Sequence, residues 1–535
     1  MDYKMIFGLL GGLGLFVYGM KLMGDGLQKA AGEKLKRLLE VLTSNRFLAV
    51  IVGAGVTAII QSSSATTVMT IGFVNAGLMN LFQAAGVIMG ANIGTTMTAQ
   101  LIAFKLSDIA PLILALGAGL VMFSKKKKTK DIGEIVLGFG ILFVGMSMME
   151  NSMKPLRELE AFKNLILALG AHPLMGVFVG LGMTATLQSS SATIGILMAL
   201  ASNNGISLAV ALPILYGDNI GTCVTALLAS IGTTRNAKRA ALLHLIFNLT
   251  GTILFMLAFG VVIRIVPLFG GNTQRQIANA HTLFNISNVF IQIWFIGLLV
   301  KVVNKLVPGE DEKSSILALQ YLDKRLLETP SIAVGQLIKE VTRMGRLSSL
   351  NLSNSMEAFL NCDEKMMKSV IDNEVTINYL DREITSYMVS LSNTPLSEYQ
   401  SEIITSLFNV VNDIERIGDH ADNLGELAKT KMDNKIVFSE KAISDVKYMF
   451  ETVIFCMNNA ISALENSDIE SAHKAMDVEN KIDDMEKNLK KEHITRLSGL
   501  ECNPMGSSVY LELLTNLERV GDHSNNVAQM VVNSN

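Results

Sequence analysis

The sequence predicts an all-α protein, with a polytopic membrane part followed by a soluble helical part. Half of the 535 residues are hydrophobic and the mean hydropathy is +0.38, which is high for a soluble protein. Residues 1–310 carry 23 Lys+Arg and 12 Asp+Glu, net +11, whereas residues 311–535 carry 22 and 36, net −14. Apolar segments lie in the first part, and long amphipathic helices without strand alternation fill the second.

A stretch of fifty residues occurs twice within the membrane part. Residues 53–102 and 180–229 align at a constant offset of 127, with 20 of 50 positions identical. The identities cluster in Gln-Ser-Ser-Ser-Ala-Thr, from Gln61 and Gln188, and in Gly-x-Asn-Ile-Gly-Thr, from Gly90 and Gly217. Hydroxyl and amide clusters duplicated in membrane sequence are typical of a transporter with its site at the repeat interface.

The apolar segments beside each Gln-Ser-Ser-Ser are too short to cross a bilayer. Segment 47–60 has only 14 residues, against roughly 20 for a spanning helix. We therefore expect a re-entrant hairpin in each repeat, with the serines at its deep tip. Irregular backbone at that depth needs surrounding protein or a water-filled cavity.

The N-terminal region predicts two separate helices. Segment 5–23 lacks a basic n-region and a cleavage site, so we expect a retained transmembrane helix and not a signal peptide. Segment 25–41 is amphipathic and predicts a helix on the cytoplasmic membrane surface.

Basic loops predict the orientation. Lysines at 125–128 and 130, with the basic residues at 235–239 and 301–305, place those loops inside. Loop 75–80 is then inside and its repeat mate, loop 202–206, is outside. The two repeats would therefore be inverted, with their tips facing each other near the midplane. The N-terminus would lie outside and the C-terminal part in the cytoplasm.

We divide the chain into a membrane domain at 1–307, a linker at 308–314 and a helical domain at 315–535. The membrane domain contains repeats at about 47–104 and 174–230. In the helical domain, breaks near 393–395, 431–435 and 503–504 predict six helices in two three-helix bundles. Residues 412–420 recur as 516–523, which supports a duplicated bundle.

Two family resemblances follow from these motifs. The paired Gln-Ser-Ser-Ser and Gly-x-Asn-Ile-Gly-Thr blocks, with Ala-x-x-His-x-x-Phe-Asn at 241–248 and 278–285, resemble type II sodium–phosphate cotransporters and their bacterial relatives over roughly residues 1–305. The Glu-Arg-x-Gly-Asp-His motifs at 415–420 and 518–523 make residues 315–535 similar to the PhoU domain, a phosphate-regulatory helical module. Together they imply a sodium-coupled secondary active transporter of inorganic phosphate in the bacterial inner membrane.

The tips have the chemistry to hold an anion. Phosphate needs donors and compensating charge in a low-dielectric site. Neither motif contains Lys or Arg, so we expect neutral donors for the oxygens and co-bound cations for the charge. Serine hydroxyls, glutamine amides and the free N–H groups of two helix starts supply donors. The predicted phosphate-binding residues are Gln61, Ser62, Ser63, Ser64, Gln188, Ser189, Ser190 and Ser191.

The same segments suit sodium, because hydroxyl and carbonyl oxygens coordinate Na⁺ without a proton cost. Asp218 stands where the first repeat has Ala91, and an acid at this depth is usually functional. Cation binding, titration with proton coupling, and pairing with a polar neighbour stay open for it. The predicted sodium-binding residues are Thr66, Thr67, Asn92, Thr95, Thr96, Thr193, Asp218, Asn219 and Thr222.

The PhoU resemblance implies a metal site. Glu415 and Asp419 are one turn apart on a helix face, as are Glu518 and Asp522. In the PhoU family such acid clusters can bind multivalent metal ions, so these four are the implied ligands, with Asp413 as an additional candidate. The alternative is a solvated helix face balanced by neighbouring arginines. Carboxylates alone do not identify the metal.

The sequence argues against some other functional classes and leaves others open. The chain contains no Gly-x-Ser-x-Gly elbow, so we expect no serine enzyme. An acidic chain without a basic stripe argues against a nucleic-acid partner. A transporter of another oxyanion, such as arsenate, and a membrane-anchored phosphate sensor stay as alternatives. Expected partners are phosphate, sodium and the lipid bilayer. A homo-oligomer or a cytoplasmic regulatory partner through the PhoU-like domain stays open.

Overall fold

The computed structural model describes residues 3–40, 45–104, 106, 108–155, 159–202, 205–309, 319–498 and 504–533. Within these ranges the side chains at 32–40, 127, 498, 504 and 505 are not described. Regular structure in the described residues is helical without strands, which confirms the predicted all-α class. By packing, the chain divides into one unit of residues 1–312 and 323–332 and another of residues 313–322 and 333–535.

The first unit is built from fifteen helices among the residues described. They are α1 Tyr3–Glu40, α2 Arg46–Ile60, α3 Ser63–Asn75, α4 Leu81–Gly94, α5 Thr96–Ile102, α6 Ala110–Phe123, α7 Lys127–Met153, α8 Glu160–Ala171, α9 Pro173–Leu187, α10 Ser190–Ala201, α11 Leu208–Ala229, α12 Arg235–Leu257, α13 Phe259–Ile265, α14 Thr273–Gln292 and α15 Ile296–Leu306.

Several stretches of the first unit are long and apolar enough to cross a bilayer. Five qualify by length and composition within the described residues, or six if α8 and α9, which meet at 113°, form one broken span. These helices indicate a multi-pass membrane protein. The five are Tyr3–Ala31, Lys128–Met153, Leu208–Ala229, Arg235–Leu257 and Thr273–Leu306.

Helix α1 is continuous, so the prediction of two separate N-terminal helices is wrong. It runs without a break from Tyr3 to Glu40, while residues 41–44 lie outside the described part. Gly24 and Gly26, at the expected boundary, serve close packing instead. A Cβ on Gly24 would lie 3.1 Å from the carbonyl oxygen of Ile60, and one on Gly26 would lie 2.9 Å from Ile135.

Glycines set the packing of both repeats. Helix α2 packs along α4 in the first repeat, and α9 packs along α11 in the second. A Cβ on Gly53 or Gly90 would lie 2.1 Å from a carbonyl oxygen of the facing helix, and one on Gly180 or Gly217 would lie 1.9 Å from one. These glycines are mates at the repeat offset, so both copies rest on the same backbone-to-backbone approach.

The repeats differ beyond this contact. The first copy is interrupted at Thr95, where α4 ends and α5 begins, whereas α11 of the second copy runs on from Leu208 to Ala229. The hydroxyl of Thr95 has no hydrogen-bond partner in the part of the chain that the structure describes.

The six predicted helices are present among the described residues, and all of them lie in the second unit except for the first three residues of α16. Helices α19, α20 and α21 pack on one another, and α17 packs on α18. Ser348 of α16 donates a hydrogen bond of 3.2 Å to the carbonyl of Ile414 in α18. The helices are α16 Pro330–Asn361, α17 Glu364–Ser392, α18 Glu398–Asp433, α19 Glu440–Asn466, α20 Ile469–Ser498 and α21 Pro504–Asn533.

The glycine contact gives a stability prediction. Gly180→Ala should force α9 and α11 apart, because its Cβ meets a backbone oxygen that cannot rotate away. Overpacking of this kind costs about 1–3 kcal/mol, so the thermal unfolding midpoint in detergent should fall by several degrees.

Gly182→Ala is the matched control, because it lies on the same helix with nothing within 4 Å of its added Cβ. That variant should keep or raise the midpoint, since alanine is the better helix former. Equal midpoints for the two variants would contradict the close contact.

Candidate functional site

Each Gln-Ser-Ser-Ser motif forms an abrupt break between two helices. Gln61 ends α2 with φ 60° and ψ 23°, and Gln188 ends α9 with φ 52° and ψ 26°. This left-handed conformation is uncommon for residues other than glycine and costs about 1 kcal/mol or more. Its recurrence at both repeat mates indicates that the geometry is a shared feature of the two tips.

The next residue starts the following helix at once. Ser62 is the N-cap of α3, and its Oγ accepts a hydrogen bond of 3.1 Å from the N–H of Ala65. Ser189 caps α10 in the same way, with 3.2 Å to Ala192. Because each Oγ is used as an acceptor, each hydroxyl proton is still available for donation. The remaining first-turn N–H groups have no acceptor in their own helix.

Paired threonines fold each break into a hairpin. The hydroxyls of Thr57 and Thr66 lie 2.9 Å apart, and those of Thr184 and Thr193 lie 2.8 Å apart. In one straight helix, residues nine apart would be separated by roughly 13.5 Å. The chain therefore reverses at both tips, as the predicted hairpins require. The sequence analysis did not select Thr57 and Thr184, although both are identical at the repeat offset.

Both tips line one cavity of about 230 Å³. That volume exceeds the roughly 30 Å³ share of a liquid water molecule, so it has room for an oxyanion with further ligands. Every predicted phosphate-binding residue lines it: Gln61, Ser62, Ser63, Ser64, Gln188, Ser189, Ser190 and Ser191. The structure thus brings together residues that are 127 positions apart in the chain. Their binding of phosphate stays a prediction.

The two glutamines are held differently. Gln61 is only 7% exposed, and its Oε1 accepts a hydrogen bond of 3.0 Å from Thr98. Gln188 is exposed. The amide of Gln61 is therefore held by a hydrogen bond within its own repeat, whereas the amide of Gln188 is exposed at its tip.

Helix α1 supplies a third wall that the sequence analysis missed. Lys21, Asp25 and Gln28 line the cavity with the two tips. The motifs contain no basic residue, but the cavity does. The available signal was a pair of charged residues within the apolar span Tyr3–Ala31, because ionisable residues in a membrane segment usually mark a functional pathway.

Asp218 lies beside the second hairpin. It is 1% exposed, and its Oδ1 is 2.6 Å from the hydroxyl of Thr184. The same hydroxyl lies 2.8 Å from that of Thr193, so the carboxyl joins the threonine pair of this hairpin. The second oxygen, Oδ2, has no hydrogen-bond partner within the described residues. The first hairpin has the same threonine pair, but Ala91 replaces the acid.

Thr66 and Thr193 belong to the hairpin pairs, and the remaining predicted sodium ligands fall into two groups. The buried hydroxyls of Thr67 and Thr95 have no partner among the described residues, so they are free to coordinate an ion. Four others are already engaged. Asn92 donates to Asn248 (2.7 Å), Thr96 to Ile93 (2.7 Å), Asn219 to Leu215 (3.0 Å) and Thr222 to Asn219 (2.7 Å).

A separate acidic cluster lies in the second unit. Carboxylate oxygens of Glu479, Asp483 and Asp522 lie within 4.8 Å of one another. Burial, then the neighbouring Asp483 and Asp522, raises the pKa of Glu479. Burial, then Asp522, likewise raises the pKa of Glu518. Three hard oxygen ligands fit a divalent cation, and only Asp522 of the four implied ligands belongs to this group.

The equivalent position in the first bundle is also acidic. Burial, then Asp419, Asp422 and Glu415, raises the pKa of Glu374 to about 7. Asp413 lies elsewhere, because its Oδ1 is 2.8 Å from Nδ1 of His523. The sequence motifs did not point to Glu374 or Glu479, because these acids lie on the neighbouring helices α17 and α20 and their proximity follows only from the packing.

The arginines account for part of the charge. Arg519 lies 3.2 Å from Asp522 and 3.6 Å from Glu518. The alternative of a face balanced by arginine therefore applies to this pair, and a metal ion would compete with Arg519 for Asp522.

Family comparisons agree with both parts of the chain. The Na+/Pi-cotransporter family model matches residues 15–151 and 148–298, which is more than half of the chain. The chain belongs to the Na+/Pi-cotransporter family. The PhoU domain model matches residues 341–428 and 446–531. Both resemblances inferred from the motifs are thereby confirmed.

Relatives extend over the full length. A Salmonella typhimurium protein named "Putative inorganic phosphate export protein YjbB" is 23% identical over 98% of this chain and 97% of its own. The uncharacterized protein YqeW of Bacillus subtilis is 30% identical over 55% of this chain and 96% of its own. A crystal structure of PhoU from Streptococcus pneumoniae aligns with a TM-score of 0.36 and 18% identity, over 38% of this chain and 96% of that one.

The acidic cluster gives a prediction for this Na+/Pi-cotransporter family member. With metal removed by chelation, Asp483→Asn should raise the thermal unfolding midpoint, because it relieves repulsion within the cluster. Titrated Mg²⁺, Mn²⁺ or Zn²⁺ should stabilise the wild type by about 2.7 kcal/mol at 100 times the dissociation constant. The variant should lose most of this metal-dependent shift.

Asp484→Asn is the control, because this exposed neighbour is outside the cluster. It removes the same charge and should leave the metal-dependent shift unchanged. Identical shifts in wild type and Asp483→Asn would remove the cluster as a metal site.

Proposed function

We propose that this protein couples sodium to the movement of inorganic phosphate across the bacterial plasma membrane. The observation that carries the proposal is the single cavity lined by both Gln-Ser-Ser-Ser tips. Two repeats in inverted orientation would present these tips to each other, and rocking one repeat against the other would expose the cavity to each side in turn.

The donors around the cavity suit an oxyanion. Helices α3 and α10 both begin at it, so their first-turn N–H groups and positive dipole ends face the same space. Ser63 and Ser190 are the first residues of these helices and are 5% and 6% exposed. Their hydroxyls add donors that need no further reorganisation. Neutral donors from two helix starts give phosphate a matched set of hydrogen bonds.

The second repeat has the chemistry for sodium. Asp218 supplies a carboxylate oxygen without a partner, next to the hydroxyls of Thr184 and Thr193. A buried carboxylate is costly unless a cation or proton neutralises it. Sodium bound here would offset Asp218 and contribute positive charge near the anion. Thr67 and Thr95 offer further oxygens in the first repeat.

The direction of transport is a separate question. Coupling fixes only the exchange ratio, and the combined gradients decide which way the cycle runs. The relatives named for phosphate export favour outward movement as a second candidate. An outward cycle would need an outward phosphate gradient larger than the inward gradient of the coupled cation.

We assign a regulatory role to the PhoU-like unit, which the predicted topology places in the cytoplasm. The PhoU relatives are named as accessory proteins of a phosphate-specific transport system. A cation bound at the acidic cluster would neutralise repelling carboxylates and order the second bundle. Such ordering is a means by which metal or phosphate state could bias the transport cycle.

The decisive experiment is radiolabelled phosphate flux in proteoliposomes. Purified protein should accumulate phosphate when a sodium gradient is imposed, and an equal potassium gradient should give no accumulation. Reversing the sodium gradient should drive efflux from preloaded vesicles. Phosphate flux that ignores sodium would contradict the coupling, and binding without flux would favour the sensor alternative.

Ser63→Ala and Ser190→Ala test the site. Each removes a hydroxyl that donates to a charged ligand, which is worth about 1.5–3 kcal/mol. Uptake efficiency should therefore fall roughly 10- to 100-fold. Ser152→Ala is the control, because its hydroxyl bonds only within α7, to Met148 at 2.8 Å. Unchanged uptake in both tip variants would remove the site assignment.

Asp218→Asn tests the cation role. The sodium concentration for half-maximal uptake should rise about 10-fold or more, because the neutral amide removes the charge-assisted ligand. Asp108→Asn, at an exposed position of the same unit, should leave it unchanged. If the variant instead loses the pH dependence of uptake and keeps the wild-type sodium requirement, Asp218 carries a proton and the sodium assignment fails.

A further inference from the structure

The face of α1 that lines the cavity is a regular helical stripe. Its residues are Val17, Met20, Lys21, Gly24, Asp25 and Gln28, which recur every three or four positions and therefore lie on one side of the helix. The stripe changes from apolar to polar along its length. The polar end presents a basic, an acidic and an amide side chain to the space between the two tips.

Contacts with both hairpins hold α1 at the cavity. A Cβ on Gly24 would be 3.1 Å from the carbonyl oxygen of Ile60, directly before the first tip. The buried ring of Phe16 packs on the second hairpin, where a Cβ on Gly195 would lie 2.7 Å from it. The helix is thus seated against both copies, and its polar residues are a fixed part of the site.

The charge of the lining comes from this helix. Among the lining residues, Lys21 and Asp25 are the two with ionisable side chains, and they are one turn apart on the same face. An ammonium group offers only donors, and a carboxylate offers only acceptors. An anion that sits between the tips therefore meets one group that attracts any oxyanion and one that repels every oxygen lacking a proton.

Phosphate differs from sulfate in this respect. Near neutral pH phosphate keeps one or two P–OH groups, which can donate, whereas sulfate has none. A site that accepts a hydrogen bond from a substrate hydroxyl strongly rejects an analogue lacking it, because the acceptor is left unpaired. A carboxylate facing a fully deprotonated oxyanion adds repulsion, which is the other means of achieving specificity.

We infer that Lys21 and Asp25 form the specificity pair of the anion cavity. Lys21 donates to an unprotonated phosphate oxygen, and Asp25 accepts a hydrogen bond from a phosphate hydroxyl. The pair admits oxyanions that carry a proton, phosphate and arsenate, and excludes sulfate. This inference rests on the proposed function, because it assigns roles within the same phosphate site.

The test is competition in the sodium-driven proteoliposome assay with the full chain. Labelled phosphate uptake is measured against unlabelled arsenate and unlabelled sulfate. The wild type should be inhibited by arsenate and resist sulfate. Asp25→Asn should lower the sulfate concentration for half-inhibition about 10-fold or more relative to that of phosphate, since the amide can donate to sulfate oxygens.

Lys21 is tested by the Michaelis constant. Lys21→Gln should raise the KM for phosphate about 10-fold or more, and Lys21→Arg should restore most of the affinity because it keeps the charge. Lys4→Gln is the matched control on the same helix, since Lys4 is exposed and does not line the cavity. It should leave both the KM and the sulfate ratio unchanged.

A second acid variant and a binding readout keep the test independent of folding or turnover. Asp25→Ser provides a small donor if Asp25→Asn does not assemble. Protection against thermal unfolding by phosphate and by sulfate reports binding without flux. Variants that lower phosphate uptake while the sulfate-to-phosphate ratio stays at its wild-type value would overturn the inference, because the pair would then be structural.

Failure of the proposed function has a different signature. If the wild type neither transports phosphate nor gains thermal stability from it, the phosphate site itself is wrong. If the wild type transports phosphate and discriminates against sulfate, but Asp25→Asn, Asp25→Ser and Lys21→Gln all behave like Lys4→Gln, the site stands and the specificity pair is refuted.

Discussion

The left-handed backbone at Gln61 and Gln188 is the constraint on which the cavity depends. It lets a helix end and its successor begin with only one residue between the glutamine and the next helix, so N-terminal N–H groups lie at the tip. The conformation costs about 1–3 kcal/mol for a residue with a side chain. The threonine pairs across each hairpin and the glycine contacts between the packed helices offset that cost, because they hold the two helices of each hairpin in place.

The two hairpins have the same backbone conformation but differ in some of their side chains. Each copy has the cap, the threonine pair and the glycine approach, so the anion donors come in matched sets. The positions just outside the tips differ. At the repeat offset, Ala91 of the first copy corresponds to Asp218 of the second, and Thr67 corresponds to Ile194. A symmetric frame therefore supports an anion site shared by both repeats, while oxygen ligands for cations are distributed unequally.

Much of this was accessible from the sequence, because duplication made it visible. The helical class, the six C-terminal helices and the meeting of the tips followed from period, breaks and the 127-residue offset. The role of α1 in lining the cavity could not be predicted from the sequence. Its cavity face mixes apolar residues with Lys21 and Asp25, and only tertiary packing shows which side of α1 meets the tips. The acids Glu479 and Asp483 were missed for the same reason, since they join Asp522 from another helix.

The charges around the cavity indicate why Lys21 would not take over the charge-balancing role that we propose for sodium. Lys21 and an ionised Asp25 would cancel, and an ionised Asp218 beside the second hairpin would leave one negative charge before any substrate enters. A bound phosphate adds one or two more. In a low-dielectric surrounding this excess is too costly to leave unbalanced. Under the proposed function, anion entry would therefore require cations or protons at the same time, and the α1 pair would govern which anion is accepted.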